Sequence, residues 1–170
     1  PKGFMATTKG KRGFSWRSDK AATLIYIEAL DGGDPANLVD YRDEVFELEA
    51  PFSGAGKSLI KLINRYAGID WANESLAIAY DRWWNTRNTK AYYFNPSNNN
   101  DSPKTIYDRN YQDAYSDPGS FLKERNNYNR SVLKLHSGRA YMSGAGFTKL
   151  GQFPFIDEVN IKGFAKKRIY

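Results

Sequence analysis

The sequence predicts an all-β protein of stacked antiparallel sheets, and three observations carry that reading. A segment recurs: Gly13-Phe14-Ser15-Trp16-Arg17-Ser18-Asp19 leads into an apolar run at 23–29, and Gly68-Ile69-Asp70-Trp71-Ala72-Asn73-Glu74 leads into one at 76–82. The paired glycines and the paired tryptophans are each about 55 positions apart. These runs are short and apolar on both faces, as in Leu24-Ile25-Tyr26-Ile27 and Ile78-Ala79-Tyr80, which suits sheets covered on both sides. Apolar residues make up 41% of the 170-residue chain and aromatics 15%, enough for a sizeable core. A period near 50 with short strands inside each copy is the pattern of a β-propeller, where each repeat is one sheet that cannot bury its faces alone.

Turn signals divide the first copy into strands over 14–17, 23–29, 44–48 and 58–64. The separators are Asp31-Gly32-Gly33-Asp34-Pro35 and Pro51-Phe52-Ser53-Gly54-Ala55-Gly56. The second copy reads as strands over 69–72, 76–83, 90–95 and 104–108, with the Asn/Ser-rich tract 96–103 as a solvated turn. A less faithful third copy follows Tyr115-Ser116-Asp117-Pro118-Gly119, with strands over 131–135, 140–143, 155–161 and 166–170. The expected architecture is a partial β-propeller of about three four-stranded antiparallel blades, at 13–64, 68–110 and 115–170. Propellers close with typically four to eight blades, so the chain is expected to be a fragment of a larger one. Its two open flanks are expected to meet neighbouring blades or to self-associate. Trp16, Trp71, Trp83 and Trp84 are expected to pack between blades.

Composition removes several classes of chemistry. There is no cysteine, so no disulfide, thiolate or Cys-ligated zinc, and the single histidine, His136, precludes a multi-His metal site. No metal and no cofactor are expected. No apolar run approaches the roughly 18 residues of a membrane span, and the first residues carry no signal-peptide pattern. The net charge of +6 is spread along the chain apart from Lys9-Gly10-Lys11-Arg12 and Lys166-Lys167-Arg168, which argues against nucleic acid as the partner.

The residues also resemble a known family. Phe14-Ser15-Trp16-Arg17-Ser18-Asp19-Lys20-Ala21-Ala22-Thr23-Leu24 and Glu28-Ala29-Leu30-Asp31-Gly32-Gly33-Asp34-Pro35 resemble the propeller domain of the glutamyl endopeptidase-like (dipeptidyl aminopeptidase/acylaminoacyl-peptidase type) branch of the prolyl oligopeptidase family. Arg42-Asp43, Ala50-Pro51-Phe52, Arg65-Tyr66-Ala67-Gly68-Ile69-Asp70-Trp71, Trp83-Trp84-Asn85-Thr86-Arg87, Tyr115-Ser116-Asp117-Pro118-Gly119-Ser120 and Pro154-Phe155-Ile156-Asp157 extend the likeness in order along the chain. Phe147 stands where such relatives are expected to carry a small residue. The resemblance implies a two-domain serine peptidase whose triad lies in a C-terminal α/β-hydrolase domain that this chain does not contain. It implies a propeller that restricts peptide access to that domain, and a periplasmic or secreted placement if the parent is bacterial.

Within the chain no Gly-Xaa-Ser-Xaa-Gly elbow occurs: neither Ser137 nor Ser143 has a glycine two residues upstream. Gly54-Ala55-Gly56-Lys57-Ser58 lacks the spacing of a phosphate loop and precedes a strand. Asp31-Gly32-Gly33-Asp34 reads as a tight turn, because it lacks the ligand spacing of a calcium loop. Glu47 and Glu49, alternating with Phe46 and Leu48, read as a solvated strand face, in preference to a carboxylate pair for acid–base work. The role that the resemblance leaves to this chain is substrate recognition: it implies an enzyme that cleaves after Glu and so needs a cation near the substrate carboxylate, for which the bidentate guanidinium is suited, and the candidates by residue type are Arg17, Arg65, Arg82, Arg87 and Arg109. The competing reading is a stand-alone β-rich module in which Trp83, Trp84, Arg82 and Arg87 hold a glycan or single-stranded nucleic acid.

Overall fold

The computed structural model describes residues 3–170. Every regular element among them is a β-strand. The first sheet runs β1 (Arg12–Trp16), β2 (Thr23–Ala29), β3 (Asp43–Glu49), β4 (Lys57–Leu62), each strand hydrogen-bonded to the next and antiparallel to it. The second repeats this order with β5 (Arg65–Asn73), β6 (Leu76–Trp83), β7 (Asn88–Phe94) and β8 (Lys104–Asn110). Antiparallel neighbours joined by short turns need no crossover, which is why sequence order and spatial order coincide.

The chain then departs from the simple pattern. After β9 (Ser120–Phe121) comes a two-stranded hairpin of β10 (Lys123–Arg125) and β11 (Ser131–Leu133). The third sheet takes β12 (Leu135–His136), β13 (Arg139–Gly144), β16 (Phe155–Asn160) and β17 (Lys166–Arg168), and β9 pairs with β13 as well. Between β13 and β16 a small separate hairpin forms from β14 (Phe147–Thr148) and β15 (Gly151–Gln152). The expected continuous strand over 131–135 is thus split: its first part pairs outside the third sheet and only Leu135 and His136 join β13.

The sheets stack face to face, with the second in the middle. Strand period decides which residues face which way. Ala77, Ala79, Tyr92, Phe94 and Trp71 share one buried cluster with Ile25, Ile27, Val45, Ile60 and Leu62 of the first sheet. Their neighbours Leu76, Ile78 and Ala91 share another with Phe121, Ala140, Met142 and Val159 of the third. β6 is therefore buried on both faces, which accounts for its unbroken apolar run. For each sheet, the face turned toward the preceding one is termed here its front.

The β10–β11 hairpin ties the ends of the stack together. Lys123 pairs with Asp70 of the second sheet at 2.6 Å. Arg130 donates to the carbonyls of Arg17 and Lys20 at 2.9 and 2.6 Å, and the Asn126 amide donates to that of Ser18 at 2.7 Å. The polar tract after β7 also reaches across a sheet boundary, where Asn99 donates to the Ser58 carbonyl. At the Asp31 turn Gly33 has φ +78°, and a Cβ there would overlap the carbonyl oxygen of Thr7, so the position requires glycine.

Two expectations are corrected by this packing. Glu47 does not lie on a solvated face: its side chain is 5% exposed, because residues 43, 45 and 47 of β3 face the second sheet while Phe46 and Leu48 face away. The tryptophans also do not behave alike. Trp71 is 3% exposed and packs between sheets, whereas Trp16 is 49% and Trp84 42% exposed, since no further sheet lies against the first one's front and Trp84 sits in a turn.

Candidate functional site

Five arginines were singled out by type, and the structure sorts them by what already occupies their guanidinium groups. Arg17 follows β1 and is buried between the first two sheets. It holds both Asp19 oxygens, at 3.1 and 2.6 Å, and Glu47 at 2.5 Å, and it lies 4.3 Å over the Trp71 ring. Burial alone would lower its pKa, but the hydrogen bonds and charges of Asp19 and Glu47 outweigh that, so its pKa is raised and the cation is permanent. Such an arginine is a packing element whose charge is neutralised where it stands.

Arg65 opens β5 and joins the first two sheets in the same manner at the opposite end. Its guanidinium donates to Asp31 at 2.7 Å and Asp43 at 2.9 Å, and to the carbonyls of Arg42 and Met5. Arg42 adds a second cation to Asp31 at 2.9 Å, and Arg12 a second to Asp43 at 2.5 Å. Burial pushes the Asp31 carboxyl up, but Arg65 and Arg42 pull harder, and it titrates below the usual range. Close by, Asp81 is fully buried and forms no salt bridge among the described residues. It accepts from the Asn64 amide and side chain, the Lys90 amide and the Tyr92 hydroxyl, and burial outweighs these donors and raises it. Burial, with the charge of Asp70 adding, pushes the Tyr66 phenol up to about 12, so at neutral pH it is no base.

Arg109, at the end of β8, braces the following loop through Asp113, Ser116 and Asp117. The remaining two differ from these. Arg82, the exposed penultimate residue of β6, lies 4.5 Å over the Tyr111 ring and makes no ion pair among the described residues. Arg87 closes the β6–β7 turn at φ +57°, with one nitrogen on the Trp84 carbonyl at 2.5 Å and its guanidinium 3.7 Å over the Trp84 indole. Phe4 stacks on Trp84 at 5.3 Å with the rings 9° apart, and Arg42 lies 4.0 Å over Trp83. Arg82 and Trp83 point to opposite faces of β6 by strand alternation, so their two cation–π pairs flank the turn that carries Arg87 and Trp84.

The result is a rim around the β6–β7 turn in which guanidinium groups rest on aromatic faces. The rings under Arg82 and Arg87 hold those cations in place without neutralising them, an arrangement open to an incoming carboxylate, whereas Arg42 is already paired with Asp31. Arg42, Tyr111 and Phe4 belong to this rim and were not among the sequence candidates. Arg42 was visible only as part of a short string, and nothing local marks Tyr111 as the support for Arg82, 29 residues earlier in the numbering.

Among the described residues, no group of three or more His, Cys, Asp and Glu side chains converges. His136 is exposed at the edge of the third sheet. A cavity of about 440 Å³ between the first two sheets is bordered by Tyr41, Ser58, Lys61, Tyr92, Asn99 and Thr105. Among the described residues, no helix is long and apolar enough to cross a membrane.

Fold and site together define the class: stacked antiparallel sheets that present a ring-supported arginine rim. Comparison with known proteins adds kinship. The chain is 38% identical over 169 residues to a protein of Oryza sativa subsp. japonica named "Probable glutamyl endopeptidase, chloroplastic", and 37% identical over 170 residues to one of the same name from Arabidopsis thaliana. Each match takes in 95% of this chain but 18% of the relative, so the chain spans under a fifth of the length of these curated relatives. No protein-family model matches the chain, and no solved structure matches it.

Proposed function

We propose that this chain is a non-catalytic segment of a β-propeller from a longer serine peptidase of the prolyl oligopeptidase family, and that it recognises acidic peptides on their way to a separate α/β-hydrolase domain. The observation that carries the reading is the rim: Arg82 and Arg87 sit on Tyr111 and Trp84 with no carboxylate of the described residues paired to them, while Arg17 and Arg65 are each held by two. The sheet order, repeated in strand sequence, supports the propeller. The relatives, named for cleavage at glutamate, support a carboxylate as the group recognised. The lack of a nucleophile elbow supports a division of labour in which this segment admits and orients substrate and the other domain hydrolyses it.

Recognition would rest on charge-assisted hydrogen bonds from Arg82 and Arg87 to the side-chain carboxylate, worth about 1 kcal/mol at an exposed rim and therefore several-fold in affinity. The test is titration of a short glutamate-bearing peptide against its glutamine analogue, followed through Trp84 fluorescence. The glutamate peptide is expected to bind roughly fivefold to tenfold more tightly at low salt, with the difference shrinking as salt rises. Arg87→Gly is the informative variant: a left-handed φ suits glycine, so the turn keeps or gains stability while the preference declines. Equal binding of the two peptides would remove the acidic-peptide reading. Tighter binding of an oligodeoxythymidine than of either peptide would favour the polymer-binding alternative, for which the stack of Phe4, Trp84 and Arg87 is the supporting feature.

A further inference from the structure

β4 is the outer strand of the first sheet, and its free edge is only partly closed. Register shows which main-chain groups face outward. The Leu62 carbonyl accepts from the Arg42 amide at 2.9 Å, so Leu62 turns its peptide groups toward β3, and strand alternation turns those of Lys61 away. The ladder slips between Ile60, opposite Val45, and Ser58, opposite Phe46, which leaves Leu59 as a bulge. Past the bulge the Ser58 carbonyl also faces out, where it accepts from the Asn99 side-chain amide of the tract after β7. That amide stands where the N–H of a neighbouring strand would stand. The N–H and C=O of Lys61 have no partner among the described residues.

The edge faces room. Residues 58–61 and Ile63 border the cavity of about 440 Å³ on the first sheet's side, and Tyr92, Pro103 and Thr105 border it on the other, a volume within the range of ligand sites. One end is closed where Asn99 holds Ser58 and the Pro96 carbonyl accepts from Lys57 Nζ at 3.1 Å. Toward the other end Tyr41 is 45% exposed and Ile63 44%. Ile60 and Leu62 point to the second sheet with Val45 and Asp43, so the Lys61 side chain points to the front, beside Glu44. The Glu44 carboxylate accepts from the Ser58 hydroxyl at 2.6 Å, and Lys61 forms no ion pair among the described residues.

We infer that this edge binds a short extended peptide, antiparallel to β4, with an acidic residue opposite Lys61 and an apolar residue on each side of it. The acidic residue exchanges two main-chain hydrogen bonds with Lys61, and its carboxylate meets the Lys61 ammonium on the front face. Its neighbours, opposite Ile60 and Leu62, point into the cavity toward Tyr92. Asp101 also borders the cavity and disfavours a second acid there. The occupant is a single strand and not the edge of a second copy, because the second sheet and the tract 96–103 wall the cavity on two sides. The groove shares no residue with the arginine rim, and the inference stands without the function proposed for that rim.

The probe is acetyl-Thr-Val-Glu-Val-Thr-amide, titrated into the nitrogen-15-labelled 170-residue chain and followed by amide NMR. Saturable shifts are expected at Ser58, Lys61 and Thr105. The analogue N-methylated at its glutamate keeps the carboxylate but lacks the N–H given to the Lys61 carbonyl, and it is expected to bind at least about fivefold more weakly. Lys61→Glu is expected to reverse the preference in favour of acetyl-Thr-Val-Lys-Val-Thr-amide. Four results overturn the inference: no saturable shift at 58–63 with millimolar peptide; equal binding of the N-methylated analogue; a charge preference unchanged in Lys61→Glu; or shifts at 58–63 that grow with protein concentration alone, which assigns the edge to a second copy. Binding of the probe at the arginine rim shifts residues 82–87 instead and survives N-methylation, so the two readings fail separately.

Discussion

Arg17 and Trp71 show how a single contact sets the spacing of two sheets. The guanidinium covers the indole while Asp19 and Glu47 neutralise it, so one buried cation satisfies two carboxylates and fills the gap above a large ring. None of this is legible locally, because Arg17 and Glu47 are 30 positions apart and alternation with Phe46 and Leu48 gives Glu47 the look of an exposed residue. The same dependence on distant partners separates Trp16 from Trp71, which occupy equivalent places in the repeat and differ only in what covers them. Truncation distinguishes them: Trp71→Ala is expected to cost about 3–5 kcal/mol of unfolding free energy, and Trp16→Ala, with half its surface already in water, no more than about 1–2. Urea or guanidinium unfolding of both variants checks this. Equal costs would contradict the packing described.

Elements were legible where pattern and partner agree. β2 falls at 23–29 and β6 at 76–83 as expected, since both are apolar runs bounded by turn residues. β5 begins at Arg65, earlier than its apolar residues suggest, because the strand opens on an arginine held by Asp31 and Asp43 and carries a bulge between Tyr66 and Gly68. β9 and β10 escaped notice because strands of two and three residues leave no period to read. The Asp31–Arg65–Asp43 junction between the first two sheets belongs to this scale, and it titrates. Asp31 has a folded-state pKa below its ordinary value, so its contribution to stability is complete above about pH 4 and is lost as pH falls through the lowered value. Asp31→Asn is expected to be less stable than the wild type at pH 7 and to lose less on acidification from about pH 4 to pH 2. Parallel stability curves for the two proteins would show that the carboxylate is not what the junction depends on.

At the scale of the molecule, three stacked sheets bury the middle one on both faces, leave an aromatic front open at one flank, and gather ring-supported arginines along one end. The repeat made the stacking legible from sequence. The rim was only half legible: Arg82 and Arg87 could be named by residue type, but so could Arg17, Arg65 and Arg109, and only the placement of carboxylates tells the spent from the free. The free ones are proposed to select an acidic peptide for hydrolysis elsewhere in a longer protein. The measurement that tests it most directly is steady-state cleavage of matched glutamate and glutamine substrates by the full-length polypeptide, wild type against the Arg82→Ala/Arg87→Gly double variant. KM for the glutamate substrate is expected to rise about tenfold with kcat unchanged, while the glutamine substrate is unaffected, because binding common to ground and transition states has been removed. A glutamate preference that survives intact in the double variant would contradict it.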